Sequence, residues 1–255
     1  MHHTRLLTPY ELTQLNRYAP NLDRELIPAE IPIEYVTGKV EFCGAVFSVT
    51  KESLIPRVET EELVSLATKE LQTLLDTRRE RPLAVTDIGT GCGAVILSLI
   101  HNLKPSQLTA VSFLATDVSA TALEVAKKNA AELAPPACDL TFLVSDLCES
   151  FPSDFCADLL IANLPYIPTG RLPYLDKSVT AYEPEVALDG GEDGLKLIRK
   201  AITQLESFTR LGSVIWLEVD YTHTEDEFIS FSREWSVRSV LDSFTRNRFI
   251  RLERR

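Results

Sequence analysis

Near residue 83 the spacing of apolar positions changes, and the change organises the chain. From there on, short apolar runs at 84–88, 113–116, 140–144 and 159–162 predict buried strands, with helical spacing over 94–103 and 120–133 between them. A helix over 194–208 and a fifth strand over 214–219 follow, then a short helix near 225–231 and two further strands at 237–241 and 248–252. Strands alternating with helices imply a mostly parallel α/β sheet covered on both faces. Ligands of such sheets bind at the carboxyl ends of the strands, near the point where the strand order reverses. Ahead of residue 83 the pattern is different. Residues 40–50 are β-prone and predict a hairpin turning near Gly44. Residues 59–75 carry Leu63, Leu66, Ala67, Leu71 and Leu74 at helical spacing. The first 30 residues predict at most one short helix, over 9–18, with Thr8 as N-cap and Pro9 at its first position, before Pro20, Pro28 and Pro32 break the pattern.

The predicted strand ends carry the chemistry. After the first, Asp87-Ile88-Gly89-Thr90-Gly91-Cys92-Gly93 opens a helix. Glycines at alternate positions allow a tight turn and close approach of backbone to a ligand. Their spacing departs from the Gly-x-Gly-x-x-Gly dinucleotide fingerprint, and no Gly-Lys-Ser/Thr follows to make a phosphate loop. After the second strand, Asp117 presents a carboxylate suited to two ribose hydroxyls. After the third, Asp146 and Leu147 pair an acceptor with an apolar side chain, which suits the amine and the face of an adenine ring. For Asp117 and Asp146 the competing reading is helix capping, and for the glycine loop a plain turn. The fourth run ends in Asn163-Leu164-Pro165-Tyr166. An amide nitrogen is a poor nucleophile because its lone pair is delocalised into the carbonyl. Two acceptors, the Asn163 side-chain oxygen and the Leu164 carbonyl, would hold the two hydrogens of such a nitrogen in line with a methyl donor. Pro165 biases Leu164 towards extended backbone, and Tyr166 can stack on a planar group.

Composition narrows the field without changing this picture. The chain has 255 residues, 45% hydrophobic and 25% charged, as ordinary globular proteins do. No apolar run approaches the roughly 18–20 residues that span a bilayer, and Met1-His2-His3-Thr4-Arg5 lacks a signal peptide's apolar segment; a cytoplasmic location with no membrane partner is expected. Five cysteines, odd in number and without a Cys-x-x-Cys pair, read as reduced thiols rather than disulfides or zinc ligands. No metal site is expected at His2, His3, His101 or His223. The net charge of −11 opposes stable nucleic-acid binding. The one basic cluster, Arg246, Arg248, Arg251, Arg254 and Arg255, alternates with Phe249, Ile250 and Leu252 and reads as the exposed face of a terminal strand.

Taken together, the glycine loop, Asp117, Asp146 and Asn163 resemble a class I S-adenosylmethionine-dependent methyltransferase. Asn163-Leu164-Pro165-Tyr166 is similar to the Asn-Pro-Pro-Tyr signature of amino methyltransferases; the same Asn-Leu-Pro-Tyr form occurs in ribosomal RNA adenine dimethyltransferases. Upstream, Pro32-Ile33-Glu34-Tyr35-Val36-Thr37-Gly38, Glu41-Phe42 and Leu54-Ile55-Pro56-Arg57-Val58-Glu59-Thr60-Glu61 resemble the HemK/PrmC family of release-factor glutamine methyltransferases. Downstream, Tyr182-Glu183-Pro184, Ala187-Leu188 and Gly190-Gly191-Glu192-Asp193-Gly194-Leu195 continue the likeness, which runs over residues 31–255. The resemblance implies a Rossmann-like class I fold with a seven-stranded, mostly parallel sheet. It implies methylation of the Gly-Gly-Gln glutamine of class I peptide-chain release factors. Gly89, Thr90, Gly91, Gly93, Asp117, Asp146, Leu147 and Asn163 would then meet S-adenosylmethionine. Asn163, Leu164, Pro165 and Tyr166 would hold the glutamine, and Arg57, Glu59 and Thr60 would line or brace the pocket. The implied domains are an N-terminal helical segment at 1–30, reduced relative to the family's docking domain, a hairpin linker at 31–55 and a methyltransferase domain at 56–255. Val58 and Leu164 each stand where the family has proline, and the family's Leu-Glu-Ile-Gly-x-x-Gln segment reads Leu217-Glu218-Val219-Asp220-Tyr221-Thr222-His223. The alternatives are methylation of an exocyclic amine of adenine or guanine in RNA or DNA, and a cofactor-binding module without catalysis.

Overall fold

The computed structural model describes residues 5–78 and 81–255; His2 and His3 lie outside them. Helix α1 (Pro9–Tyr18) starts as its sequence predicts. The Thr8 hydroxyl accepts the Glu11 N–H at 3.2 Å while the Glu11 carboxylate accepts the Thr8 N–H at 2.7 Å, a reciprocal capping box with Pro9 at the first position. A turn of 3₁₀ helix (Arg24–Leu26) and helix α2 (Ile33–Thr37) were not expected. Pro32, read as a breaker, sits just ahead of α2, where a missing N–H costs nothing. Strands β1 (Lys39–Phe42) and β2 (Ala45–Ser48) form the expected hairpin, and both turn residues, Cys43 and Gly44, have positive φ (48° and 75°), as a tight hairpin turn requires. Helix α3 (Val58–Thr77) buries Leu63, Val64, Ala67, Leu71 and Leu74 on one face.

The remaining elements build one sheet. They are β3 (Leu83–Ile88), α4 (Ala94–His101), α5 (Pro105–Leu108), β4 (Val111–Asp117), α6 (Ala120–Leu133), β5 (Asp139–Val144), β6 (Ala157–Ala162), α7 (Lys177–Tyr182), α8 (Lys196–Leu205), β7 (Thr209–Glu218), β8 (Trp235–Leu241) and β9 (Asn247–Arg254). The strand order is β5-β4-β3-β6-β7-β9-β8; all pairs from β5 to β7 are parallel, and β9 runs antiparallel to both β7 and β8. The chain leaves β3 in one direction and returns beside it as β6, so the order reverses between these two strands. Side chains alternate between two cores: Leu159, Ile161, Val214 and Trp216 pack with α3 and α4, whereas Leu160, Ala162, Ile215 and Leu217 pack with α8. No helix among the described residues is long and apolar enough to cross a membrane.

Several expectations need correction. Strand β5 is an edge rather than a buried strand: Asp139, Thr141 and Val144 are exposed because it pairs only with β4. The terminal arginines do not form one exposed face: Arg246 and Arg255 are exposed, but helix α3 packs over the face that carries Arg251. Arg248 is buried, and Arg251 is bound by Glu70 at 2.7 Å and 3.0 Å. The helix expected near 225–231 is present as 3₁₀, and the one over 194–208 is α8 followed by a 3₁₀ turn, entered through Gly194 at φ +81°. Between β6 and α8 lie α7 and two 3₁₀ turns, short proline-punctuated elements with no apolar period to announce them.

Candidate active site

The loop after β3 takes its shape from its glycines. Gly89, Gly91 and Gly93 have φ of 72°, 56° and 83°, a left-handed region costly for residues with a side chain. The N–H groups of Gly89 and Thr90 both donate to the Thr116 carbonyl, at 2.8 and 2.9 Å, which ties the loop to the end of β4. The Gly91 N–H donates to Asp117 Oδ2 at 2.8 Å. Asp117 Oδ1 accepts the Ser119 N–H at 2.9 Å, and Ser119, not Asp117, caps α6 by accepting the Ala122 N–H. Asp117 therefore has a lone pair to spare on each oxygen. Burial raises its pKa, against three backbone N–H groups that lower it. Beneath the loop, Asp87 is buried with the Thr90 hydroxyl donating to it at 2.7 Å, and burial pushes its carboxyl up to about 7.

At the end of β5, Leu147 is buried at φ 54°, an unusual conformation for a branched residue that local bonds sustain. The Ser145 hydroxyl accepts the Ser150 N–H, and Gln204 Oε1 accepts the Cys148 N–H, both at 3.0 Å. Asp146 is exposed and binds Lys200 at 2.7 Å. At the end of β6, Asn163 Nδ2 donates to the Thr60 hydroxyl at 3.0 Å, and that hydroxyl donates to Glu218 Oε2 at 2.8 Å. The Tyr166 hydroxyl donates to Glu218 Oε1 at 2.9 Å. Leu164 is buried against the loop: a Cβ on Gly89 would lie 3.1 Å from its Cδ2. Arg57, at the start of α3, donates to the buried carboxylate of Glu183 at 2.6 Å; burial raises the Glu183 pKa and Arg57 opposes the rise.

These elements enclose one cavity of about 350 Å³. Of the residues singled out in the sequence, Gly89, Thr90, Gly91, Asp117, Asp146 and Leu147 line one part. Asn163, Leu164, Pro165, Arg57 and Thr60 line the other. Gly93, Glu59 and Tyr166 are not on its wall. Gly93 faces Ala126 of α6 and Leu97 of α4, each of which a Cβ would approach to 3.2 Å, and the Tyr166 hydroxyl is tied to Glu218. Sequence reasoning did not assign Leu54, Pro56, Val186 and Ala187, which also line the cavity. It gave no role to Glu183 or Glu218, although both stood in quoted motif segments. The charged wall residues are Glu52, Asp117 and Asp146 against Arg57 alone. With apolar surface, acceptor carboxylates and no cationic cradle, the set fits a nucleoside with a cationic tail and not a polyphosphate.

No protein-family model matches the chain. Proteins named release factor glutamine methyltransferase are similar to it over most of its length. The one of Moorella thermoacetica is 37% identical over 203 residues, 80% of this chain and 66% of the relative. That of Geobacter sulfurreducens is 32% identical over 84% of this chain and 74% of the relative, and that of Deinococcus radiodurans 32% over 89% and 76%. The chain thus spans about two thirds to three quarters of these relatives. Among solved structures, a 16S rRNA N2 G1207 methyltransferase of T. thermophilus, in complex with AdoMet and guanosine, aligns with a TM-score of 0.52. It has 16% identity and covers 85% of this chain and 50% of its own. A ribosomal protein L11 methylase of Lactobacillus delbrueckii subsp. bulgaricus aligns at 0.50 with 18% identity over 78% and 79%. These likenesses establish the class I methyltransferase fold.

Proposed function

Because the chain belongs to the release factor glutamine methyltransferase family, we propose that it methylates the side-chain amide nitrogen of the glutamine in the Gly-Gly-Gln motif of class I peptide-chain release factors, with S-adenosylmethionine as donor. One observation carries the reading. Asn163 lines the cavity beside the glycine loop with its NH₂ already engaged by Thr60, so the group it offers an incoming amide is its oxygen. When bound, the donor supplies a methyl on a sulfonium sulfur, electrophilic enough for a weak nitrogen nucleophile. The protein's task is to hold that nitrogen and shape its surroundings.

On this reading Asp117 takes the ribose hydroxyls and Asp146 with Leu147 the adenine, while Gly89, Thr90 and Gly91 bring backbone close to the ligand. Gly93 supports the loop from behind. Asn163 Oδ1 and the Leu164 carbonyl accept the two N–H groups of the glutamine amide and favour positive charge developing on its nitrogen. No side chain must remove a proton beforehand, because the nitrogen becomes acidic only once it carries the methyl. Pro165 shapes the wall, and Tyr166 braces the tetrapeptide through Glu218. Arg57, held by Glu183, borders the acceptor side, and Thr60 orients Asn163; Glu59 makes no hydrogen bond or ion pair among the described residues that gives it a part. Residues 56–255 form the catalytic domain, 31–55 a hairpin linker and 1–30 an N-terminal segment, at work in the cytoplasm.

The test is incubation with tritiated S-adenosylmethionine and purified release factors or ribosomal RNA. Label on the release factor that disappears when its Gly-Gly-Gln becomes Gly-Gly-Ala supports the reading. Label on RNA alone, or none at all, refutes it.

A further inference from the structure

Glu218 ends β7, the strand beside β6 and Asn163, and it is fully buried. It does not line the cavity. Its oxygens take two hydroxyls, Tyr166 at 2.9 Å and Thr60 at 2.8 Å. A hydroxyl has one proton to give. Once Thr60 has given it to Glu218, it meets Asn163 with lone pairs only, so the amide group 3.0 Å away must be the NH₂. The carbonyl end of Asn163, which has no hydrogen-bond partner among the described residues, is thereby the end left for the cavity. Nothing in the Asn163 side chain itself makes that choice, since the two ends of an amide have nearly the same shape.

We infer that Glu218 is a positioning residue: acting through the Thr60 hydroxyl it fixes which end of the Asn163 amide faces the methyl acceptor, and through the Tyr166 hydroxyl it anchors the far side of the same tetrapeptide. The inference rests on the acceptor reading above and adds to it the residue that gives the acceptor site its polarity. The charged groups acting on Glu218 are Glu59 from α3 and Arg248 from β9, with Tyr166 and Thr60 as its hydrogen-bond donors. Burial raises the Glu218 pKa and Glu59 adds to the rise, while the two hydroxyls and Arg248 oppose it by favouring the charged form that can accept from both.

An amide at this position keeps the shape and reverses the logic. In Glu218→Gln one oxygen becomes an NH₂ donor. If that donor faces Thr60, the hydroxyl must accept from it and give its proton to Asn163, whose oxygen then turns inward and whose NH₂ meets the substrate NH₂. If it faces Tyr166, that hydroxyl must accept from it, and the Tyr166 proton loses its acceptor. Thr60→Val removes the relay, and Thr60→Ser keeps it.

Two readouts test this, one of them independent of turnover. The first is the Asn163 side-chain NH₂ resonance in ¹⁵N spectra of the whole protein, assigned by its disappearance in Asn163→Ala. It is expected to shift in E218Q and T60V and to stay near its wild-type position in T60S. The second is single-turnover methyl transfer to a release factor. It is expected to fall about 10²-fold in E218Q and T60V, the scale of a misplaced reacting group, with little loss in T60S and unchanged binding of S-adenosylhomocysteine. The double variant is expected to be no slower than the slower single one, since both break one relay. Should E218Q fail to fold, the contrast of T60V with T60S carries the test. Resonance and rate both unchanged in T60V overturn the inference, as do losses in T60V and E218Q that multiply. A wild-type protein that leaves release factors unmodified, while its Asn163 signal responds to T60V, upholds the relay and refutes the substrate.

Discussion

Two fully buried carboxylates sit on neighbouring parallel strands, Asp158 near the start of β6 and Glu218 at the end of β7. They are satisfied in opposite ways. Asp158 takes Arg78 at 3.1 Å, Arg81 at 2.9 Å and Arg210, with the Ala84 N–H at 3.0 Å. Its oxygens are filled by donors, most of them cationic, with no lone pair to offer a further group. The arginines come from beyond α3, from the entry to β3 and from the start of β7, so the cluster ties the amino-terminal edge of the sheet together. Glu218 takes two neutral hydroxyls, and one of them has lone pairs with which to dictate a third group. A carboxylate met by cations gives cohesion. One met by hydroxyls passes on direction, as Glu218 does behind the cavity.

The far end of the relay is where the contrast is easiest to break. Asn163→Ala is expected to lower single-turnover methyl transfer about 10²–10³-fold, the scale of losing a positioned acceptor, with S-adenosylhomocysteine affinity measured by calorimetry left nearly unchanged. Equal loss of affinity would make Asn163 a cofactor residue. Asp158→Ala addresses the other end: it orphans the Ala84 N–H, so unfolding midpoints in denaturant should report about 1–3 kcal/mol lost, with turnover intact. The arginines, each more than a quarter exposed, can turn to water and add little.

Asp87 lies between the two cases, buried with one hydroxyl and no cation. Its pKa is raised by burial to about 7. The folded state therefore holds a proton that the unfolded chain releases at lower pH. The resulting stability is complete below the ordinary carboxyl range and lost as pH rises through about 7. Thermal melts from pH 5 to 8 should accordingly show the wild type losing stability relative to Asp87→Asn. A difference that grows in the other direction would mean that the carboxylate is held charged. The smallest effect is expected for Leu164→Pro. If the acceptor at that position is a backbone carbonyl, restoring the family's proline changes turnover by no more than about tenfold, one unit of 1.4 kcal/mol; a larger loss would place the determinant in the leucine side chain packed on Gly89.

What the chain's order makes legible is local. The glycine loop, Asp117, Asp146 and Asn163 each follow an apolar run directly, and the capping box at Thr8 and Glu11 is contained in four residues. The relay is not local: Thr60 and Glu218 are 158 positions apart, and Arg57 and Glu183 126. Periodicity says that a strand is apolar but not which strand it joins. That is why β5 read as buried although it is an edge, and why Arg251 read as exposed although Glu70 of α3 covers it. Tyr166 read as a stacking surface because its ring is visible in the sequence and its hydroxyl's partner is not.

The most direct test carries the two isosteric amides, Asp158→Asn and Glu218→Gln, through the same pair of measurements: a thermal melt and single-turnover transfer to the Gly-Gly-Gln glutamine of a release factor. Asp158→Asn should melt lower and, while folded, transfer at the wild-type rate. Glu218→Gln should remain folded, bind S-adenosylhomocysteine normally and transfer about 10²-fold more slowly. If Glu218→Gln transfers at the wild-type rate, or if both variants lose stability and rate in the same proportion, the distinction between the two carboxylates is wrong.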